Sequence, residues 1–225
     1  MSRHILVFYG SYRRDRQGIK LAHWLVDSII ARGDSAELID AKAVDLPMLD
    51  RMYKEYAKGE APAAMEDLGG KIRAADGFVF VTGEYNWGPQ PGLKNLTDHY
   101  LEEWFWRPAA IACYSAGPWS GVRAMMGWRD TLGEMGMAVT SSILPVGRIG
   151  GVFDADGKPT GDDGARLVKS FPRFAADLNW WIDAAKTQRA KQDPPIRRSS
   201  LRAAEGDKAI SSYRHRSTIA GRLLR

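Results

Sequence analysis

Five apolar runs of strand length constrain this chain more than any other feature: ILVFY (5–9), SAELID (35–40), GFVFVT (77–82), AAIACYS (109–115) and AVTSSILPV (138–146). Segments of helical length lie between them, over 17–32, 63–75, 91–104 and 121–135, and in the first of these Leu21, Trp24, Leu25 and Ile29 fall at helical spacing. Strands alternating with helices predict a parallel sheet wound on both faces, because each return to a parallel neighbour must cross over the sheet. A last helix over 163–186, with Leu167, Phe171, Phe174, Leu178, Trp181 and Ile182 on one stripe, is expected to cover one face and complete an α/β domain over 1–185. The connection 41–62 is long for such an architecture and reads as an excursion over the top of the sheet, a position where loops are commonly functional or interfacial.

The formal charge of +5 is not spread evenly. Residues 1–185 carry 21 Lys and Arg against 24 Asp and Glu, whereas 186–225 carry 11 against 3, so the body is about −3 and the final segment +8. The body therefore has no general footprint for nucleic acid or membrane. The final segment, where Pro194 and Pro195 end any helix, is expected to be a flexible basic tail, the one part with the charge to attract either. The single cysteine, Cys113, lies in an apolar run and reads as a buried, inert thiol, which suits a reducing, cytoplasmic compartment. The first apolar run is too short for a secretory segment, and no run approaches the roughly 18 apolar residues of a membrane span. His4 and His23 are scattered and form no metal set with Cys113.

The loop that leaves the first strand reads GSYRRDRQG (10–18). A dinucleotide fingerprint places glycines here so that a pyrophosphate can approach the backbone, and bulky arginines stand in their place. The loop offers the Ser11 hydroxyl, backbone N–H groups, the positive end of the following helix, and guanidiniums, a donor set for a terminal phosphate monoester; the same arginines also read as a solvated turn. In a sheet of order 2-1-3-4-5, strands one and three are neighbours at the switch point, so GEYNWGPQPGLKNLTDHYLEEW (83–104) lies beside this loop, and SAGPWSGVR (115–123) follows on the neighbouring fourth strand. Anion donors at one end of a crevice and amide-rich aromatic turns at the other describe a phosphorylated aromatic heterocycle, FMN above all.

The motifs GSYRRDRQG and EYNWGPQPGLKNLTDH resemble the two signatures of the NADPH-dependent FMN reductase family, flavodoxin-like proteins that include quinone and azo-dye reductases. The resemblance spans about 1–185. It implies a flavodoxin-like, doubly wound five-stranded sheet, and it implies that Ser11, Arg13 and Arg16, in the loop closed by Gly18, hold the FMN phosphate. It further implies that Glu84, Tyr85, Asn86 and Trp87 follow the isoalloxazine edge, their backbone amides reaching N5 and O4. The 115–121 loop, with Ser115, Gly117, Trp119 and Gly121, is implied to lie near the pyrimidine side. The implied activity passes two electrons from NADPH or NADH through FMN, by ping-pong hydride transfer, to a quinone, flavin, azo or similar small acceptor, in a homodimer or homotetramer, with no catalytic side chain. An electron-carrier flavodoxin or a flavin-binding module without turnover is the alternative; such carriers tend to be acidic around the flavin, and this loop is basic. A flavin-free interaction protein is a third reading.

Two departures from the family pattern carry expectations. Gly83 replaces the usual proline before Glu-Tyr-Asn and is expected to loosen the turn. Pro118 and Trp119 replace glycines, so Trp119 is expected to cover part of the ring, narrow the entrance or plug the site; Arg14 and Arg123 are candidates for a 2′-phosphate. Among the other residues, Lys94 and Asp98 are spaced as an i,i+4 pair, and His99 reads as a helix-surface or subunit contact. Trp24, Trp180 and Trp181 read as core packing, Trp104 and Trp106 as interface residues, and Met125, Met126, Met135 and Met137 as gap fillers.

Overall fold

A strand that is apolar at consecutive positions must be buried on both faces, and HILVFY forms such a strand, β1 (His4–Tyr9), near the middle of the sheet. The computed structural model describes residues 2–192 and residue 194, and the fold is carried by the unit Met1–Gln188. β2 (Ser35–Asp40), β3 (Gly77–Gly83), β4 (Pro108–Tyr114) and β5 (Ala138–Val146) complete a five-stranded parallel sheet in the order β2-β1-β3-β4-β5. All seven residues of β3 and of β4 are buried, as expected for central strands covered by helices on both sides.

Alternation along the strands sorts the core into two layers. Leu6, Phe8, Phe78, Phe80, Ile111 and Cys113 face α3 (Ala63–Ala74), α4 (Pro91–Asp98) and α5 (Val122–Glu134). Ile5, Val7, Tyr9, Val79, Val81, Ala110 and Ala112 face α1 (Gly18–Ile30) and α6 (Gly161–Lys191). The first layer is aromatic: Trp104 stands edge-on to Phe8 and Phe78 at 5.3 and 5.1 Å, and Trp128 edge-on to Phe80 at 5.9 Å. In the second, Trp24 packs edge-on against Phe171 at 5.2 Å.

Several expectations change. The segment 91–104 is two elements, α4 and a 3-10 turn at Glu102–Trp104, and between them His99 is buried, its Nδ1 2.8 Å from the Asn95 carbonyl. Trp104 is core rather than interface, because its indole N–H finds the Thr97 and Tyr100 carbonyls, while Trp106 stays exposed. Trp180 and Trp181 point away from the core, since the buried stripe of α6 runs through Leu167, Phe171, Phe174, Leu178 and Ile182. Met135 and Met137 fill the core, whereas Met126 is exposed. Lys94 and Asp98 do pair along α4. The 41–62 excursion contains a one-turn helix, α2 (Ala41–Val44), capped by the Asp40 side chain, and is tied to α4 through Asn95, which bonds Leu49 N–H and the Pro47 carbonyl. Helix α6 continues to Lys191; most of the expected tail, 186–225, lies outside the described residues.

The end of β1 and the start of α4 meet backbone against backbone. A Cβ at Gly10 would lie 2.2 Å from Leu93 N, and one at Gly92 2.5 Å from Gly10 O. Gly10→Ala is therefore expected to cost about 2–3 kcal/mol or more in urea denaturation. Gly70→Ala, in α3 with nothing within 4 Å of the added methyl, is expected to stabilise by about 0.5–1 kcal/mol.

Candidate functional site

The carboxyl ends of β1, β3 and β4 are neighbours at one edge of the sheet, and each is followed by a loop predicted to hold the cofactor. After β1, Ser11 is buried and its Oγ accepts from Arg13 N–H at 3.4 Å, while Arg13 and Arg14 are exposed. Helix α1 then begins with no side-chain cap and no acidic residue in its first turn; the Ile19 and Lys20 amides bond the Arg16 and Gln17 carbonyls at 3.0 and 3.3 Å, so what the helix start offers an external anion is chiefly its dipole. Arg16 is held differently from Arg13. Its Nη1 binds both oxygens of Asp40 at 2.8 and 2.6 Å and the Ser11 carbonyl at 3.4 Å, so it ties the loop to the end of β2.

After β3, Tyr85 and Gly88 exchange both backbone hydrogen bonds, at 2.9 and 3.0 Å, around Asn86 and Trp87. Both central residues have positive φ, 48° and 77°, as a two-residue primed turn demands, and the turn holds the bulky Trp87 in a region that such side chains rarely adopt. Among the described residues, the Asn86 and Trp87 amides find no backbone acceptor. The Tyr85 and Ser11 hydroxyls are 2.8 Å apart, which joins the anion end to the turn. After β4, Ser115 Oγ donates to the Gly117 carbonyl at 2.9 Å, and among the described residues the amides of Ala116, Gly117, Trp119 and Ser120 find no backbone acceptor. The loop closes through Ser120 and Gly121, with φ of 56° and 76°, into α5.

Between the second and third loops lies an open cleft of about 470 Å³, lined by Glu84, Asn86, Trp87, Ser115, Gly117 and Trp119, all predicted, and by Arg123. Arg123 Nη2 pairs with Glu84 Oε1, so the residue considered for a 2′-phosphate is already engaged. Its guanidinium lies 4.5 Å from the Trp87 ring centroid and 5.9 Å from that of Trp119. Glu84 Oε2 and Arg123 Nε are both buried without a partner, one acceptor and one donor at the cleft wall. Trp119, 63% exposed, stands at the cleft wall.

Tyr114, at the end of β4, escapes the sequence reading because it looks like one more buried strand residue. Its ring occupies the space that a Cβ at Gly18 or Gly83 would need, 2.2 and 2.5 Å away, and its backbone fills that of Gly121. Its hydroxyl accepts from Gln90 Nε2 at 3.1 Å and meets Tyr9 Oη at 3.4 Å. Gly83 ends β3 in register with Tyr114, whose ring lies over it and takes the space of a side chain there. Burial raises the Tyr114 phenol well above its ordinary range. The same cause pushes the Cys113 thiol up to about 12, which leaves it inert.

Sheet order defines a flavodoxin-like α/β protein, with the two motif loops side by side at the β1/β3 switch point. The family model for NADPH-dependent FMN reductase matches residues 3–149, and the chain belongs to that family, whose members are oxidoreductases working with NAD(P)H and FMN. The chain is 36% identical over 120 residues to an NAD(P)H-dependent FMN reductase of Schizosaccharomyces pombe, an alignment covering 49% of this chain and 56% of that protein. It is 28% identical over 181 residues to a quinone reductase of Pseudomonas putida, covering 76% and 92%. Among solved structures it is similar to a flavoenzyme NAD(P)H:(acceptor) oxidoreductase of Paracoccus denitrificans, with a TM-score of 0.61, 23% identity and coverage of 82% and 98%.

The residues present fit FMN: an uncapped helix start with Ser11 and Arg13 at its mouth suits the phosphate, and unpaired amides with an orphaned acceptor and donor suit the polar edge of a flat ring. The Tyr114 contact is testable by a double-mutant cycle. Gly83→Ala alone is expected to cost about 1–3 kcal/mol and to become nearly neutral in a Tyr114→Ala background, whereas additive losses in urea denaturation contradict the contact.

Proposed function

We propose that this protein holds FMN in the crevice and passes two electrons from NADPH or NADH to a small flat acceptor such as a quinone, flavin or azo compound, by a ping-pong cycle at one ring face. The observation that carries this reading is the 2.8 Å contact between Ser11 and Tyr85, which joins the basic loop to the aromatic turn and supports reading them as one site. Bound FMN supplies the hydride chemistry. The chain supplies binding and orientation. Ser11, Arg13 and the positive end of α1 hold the phosphate, Arg16 acting through Asp40 to fix the loop, and Gly18 allows the helix to start against Tyr114. The Glu84–Trp87 turn carries the ring edge, and the free amides of the 116–120 loop stabilise negative charge on its pyrimidine side. No side chain is required as acid or base.

No helix among the described residues is long and apolar enough to cross a membrane, and we place the protein in the cytoplasm, where the buried thiol of Cys113 suits the reducing conditions. We read the working form as a homo-oligomer, in which exposed aromatic side chains such as Trp106, Trp180 and Trp181 become contacts.

The test is quantitative. Arg13→Ala is expected to weaken FMN binding about thirty- to a hundred-fold in a fluorescence titration, the cost of a charge-assisted contact of about 2–3 kcal/mol, while Arg14→Ala changes it little. Steady-state NADPH oxidation with varied quinone should give parallel double-reciprocal lines. Equal losses at both arginines, or no nicotinamide oxidation by the FMN-loaded protein, contradict the proposal.

A further inference from the structure

Beyond the end of β5 the chain turns back against the 115–121 loop and borders a second cavity. Three backbone bonds clamp the two segments together: Ser115 N–H to the Val146 carbonyl at 3.2 Å, Arg148 N–H to the Gly117 carbonyl at 3.0 Å, and Ile149 N–H to the Ser115 carbonyl at 3.1 Å. Gly147 permits this approach, since a Cβ there would lie 2.9 Å from Ser120 Oγ. The cavity, of about 120 Å³, is bounded on its other side by α6, where Asp163, Arg166, Leu167 and Ser170 recur at the spacing of one helix face. Leu144, Val146 and Leu167 are buried and give it an apolar floor. Two guanidiniums border it as well. Arg148 is exposed, and among the described residues its side chain has no hydrogen-bond or ion-pair partner. Its φ of 46° is a left-handed conformation that glycine or asparagine adopts more cheaply, and its backbone is fixed there by the bond to Gly117 and by the Gly151 N–H on its carbonyl at 2.9 Å. An arginine kept at such a backbone cost, its guanidinium unengaged beside a cavity, is an outlier that a ligand explains. Arg166 pairs only loosely with Asp163, at 3.4 Å, so the cavity has two guanidiniums against one carboxylate.

We propose that this cavity binds a small aromatic carboxylate, its ring on Leu144, Val146 and Leu167 and its carboxylate on Arg148 and Arg166. A guanidinium matches the two oxygens of a carboxylate in one plane, and an apolar floor with a few polar groups at one end is the usual composition of a small-ligand site. Size narrows the choice. An apolar cavity of roughly 150 Å³ takes a benzene ring, so about 120 Å³ with exposed arginines at its rim holds a single ring with the charged group outermost, and excludes a nucleotide. None of these five residues lines the FMN cleft, so both sites can be filled at once, and the proposal stands apart from the reductase reading.

The experiment titrates the full, isotope-labelled, FMN-loaded chain with benzoate, benzamide and acetate and follows the amide chemical shifts. Benzoate is expected to shift the amides of Ser120, Gly147, Arg148 and Leu167. It is expected to bind at least about tenfold more tightly than benzamide, which lacks the charge, and than acetate, which lacks the ring. Arg148→Gln is expected to bring benzoate down to the level of benzamide, and Arg166→Gln to weaken it by a smaller factor. Arg173→Gln, exposed on α6 but outside the cavity, is expected to leave it unchanged. Arg166→Gln carries the test if Arg148→Gln does not fold. Binding of benzamide or acetate as tight as that of benzoate overturns the proposal, and so do equal losses in all three arginine variants. Shifts confined to 11–18, with release of flavin, locate the anion in the phosphate loop and overturn it too. Flavin absorbance of the same samples keeps the two readings apart: a chain that takes up no FMN yet binds benzoate through Arg148 overturns the reductase reading and supports the cavity.

Discussion

The crevice depends on the packing of one side chain, Tyr114. Three loops from three strands must end close together, and the ring of Tyr114 sits where they converge, against the first residue of α1, the last of β3 and the residue before α5. Each of those positions is glycine because the ring or backbone of Tyr114 already occupies the space for a side chain. The hydroxyl meets Gln90, the residue that precedes α4, so the start of the fourth helix is tied to the same point. A small residue at 114 would leave a cavity under all three loops at once, which is why the geometry of the site is a property of the core beneath it.

The basic residues around the crevice are not equivalent once the chain is folded. Arg16 is committed to Asp40 and Arg123 to Glu84, whereas Arg13 and Arg14 stay exposed. Prepaired cations keep the loops ordered without adding net charge, and a carboxylate pair holds a long guanidinium in one geometry at little further entropic cost. The exposed guanidiniums of the first loop are therefore those of Arg13 and Arg14, beside the start of α1, while at the cleft Arg123 is paired with Glu84 and flanked by Trp87 and Trp119. That division matches a ligand with a charged tail and a flat, polar-edged head.

Much of the architecture was legible because it depends on local periodicity. The five apolar runs became the five strands within a residue or two, and the two loop motifs landed at adjacent strand ends as the switch-point rule requires. The errors fall where two outcomes share one local pattern. His99 and Trp104 sit in a polar-looking stretch and are buried because the chain breaks between α4 and the following turn and folds back on the Asn95, Thr97 and Tyr100 carbonyls. Trp180 and Trp181 lie next to the apolar stripe of α6 in sequence, but about 100° of rotation per residue carries them off it.

The amino-acid sequence by itself determined the strand and helix order, the parallel sheet and the placement of the two motif loops at neighbouring strand ends, since these follow from spacing, turn residues and strand order. Only the tertiary structure decided which arginines are free, what fills the space beside Gly18 and Gly83, and which aromatic rings meet at the cleft. Those outcomes depend on contacts between residues far apart in the chain, Arg16 with Asp40, Glu84 with Arg123, Gly18 with Tyr114. Partner choice of that kind is set by packing and charge in three dimensions, and no periodicity along one dimension encodes it.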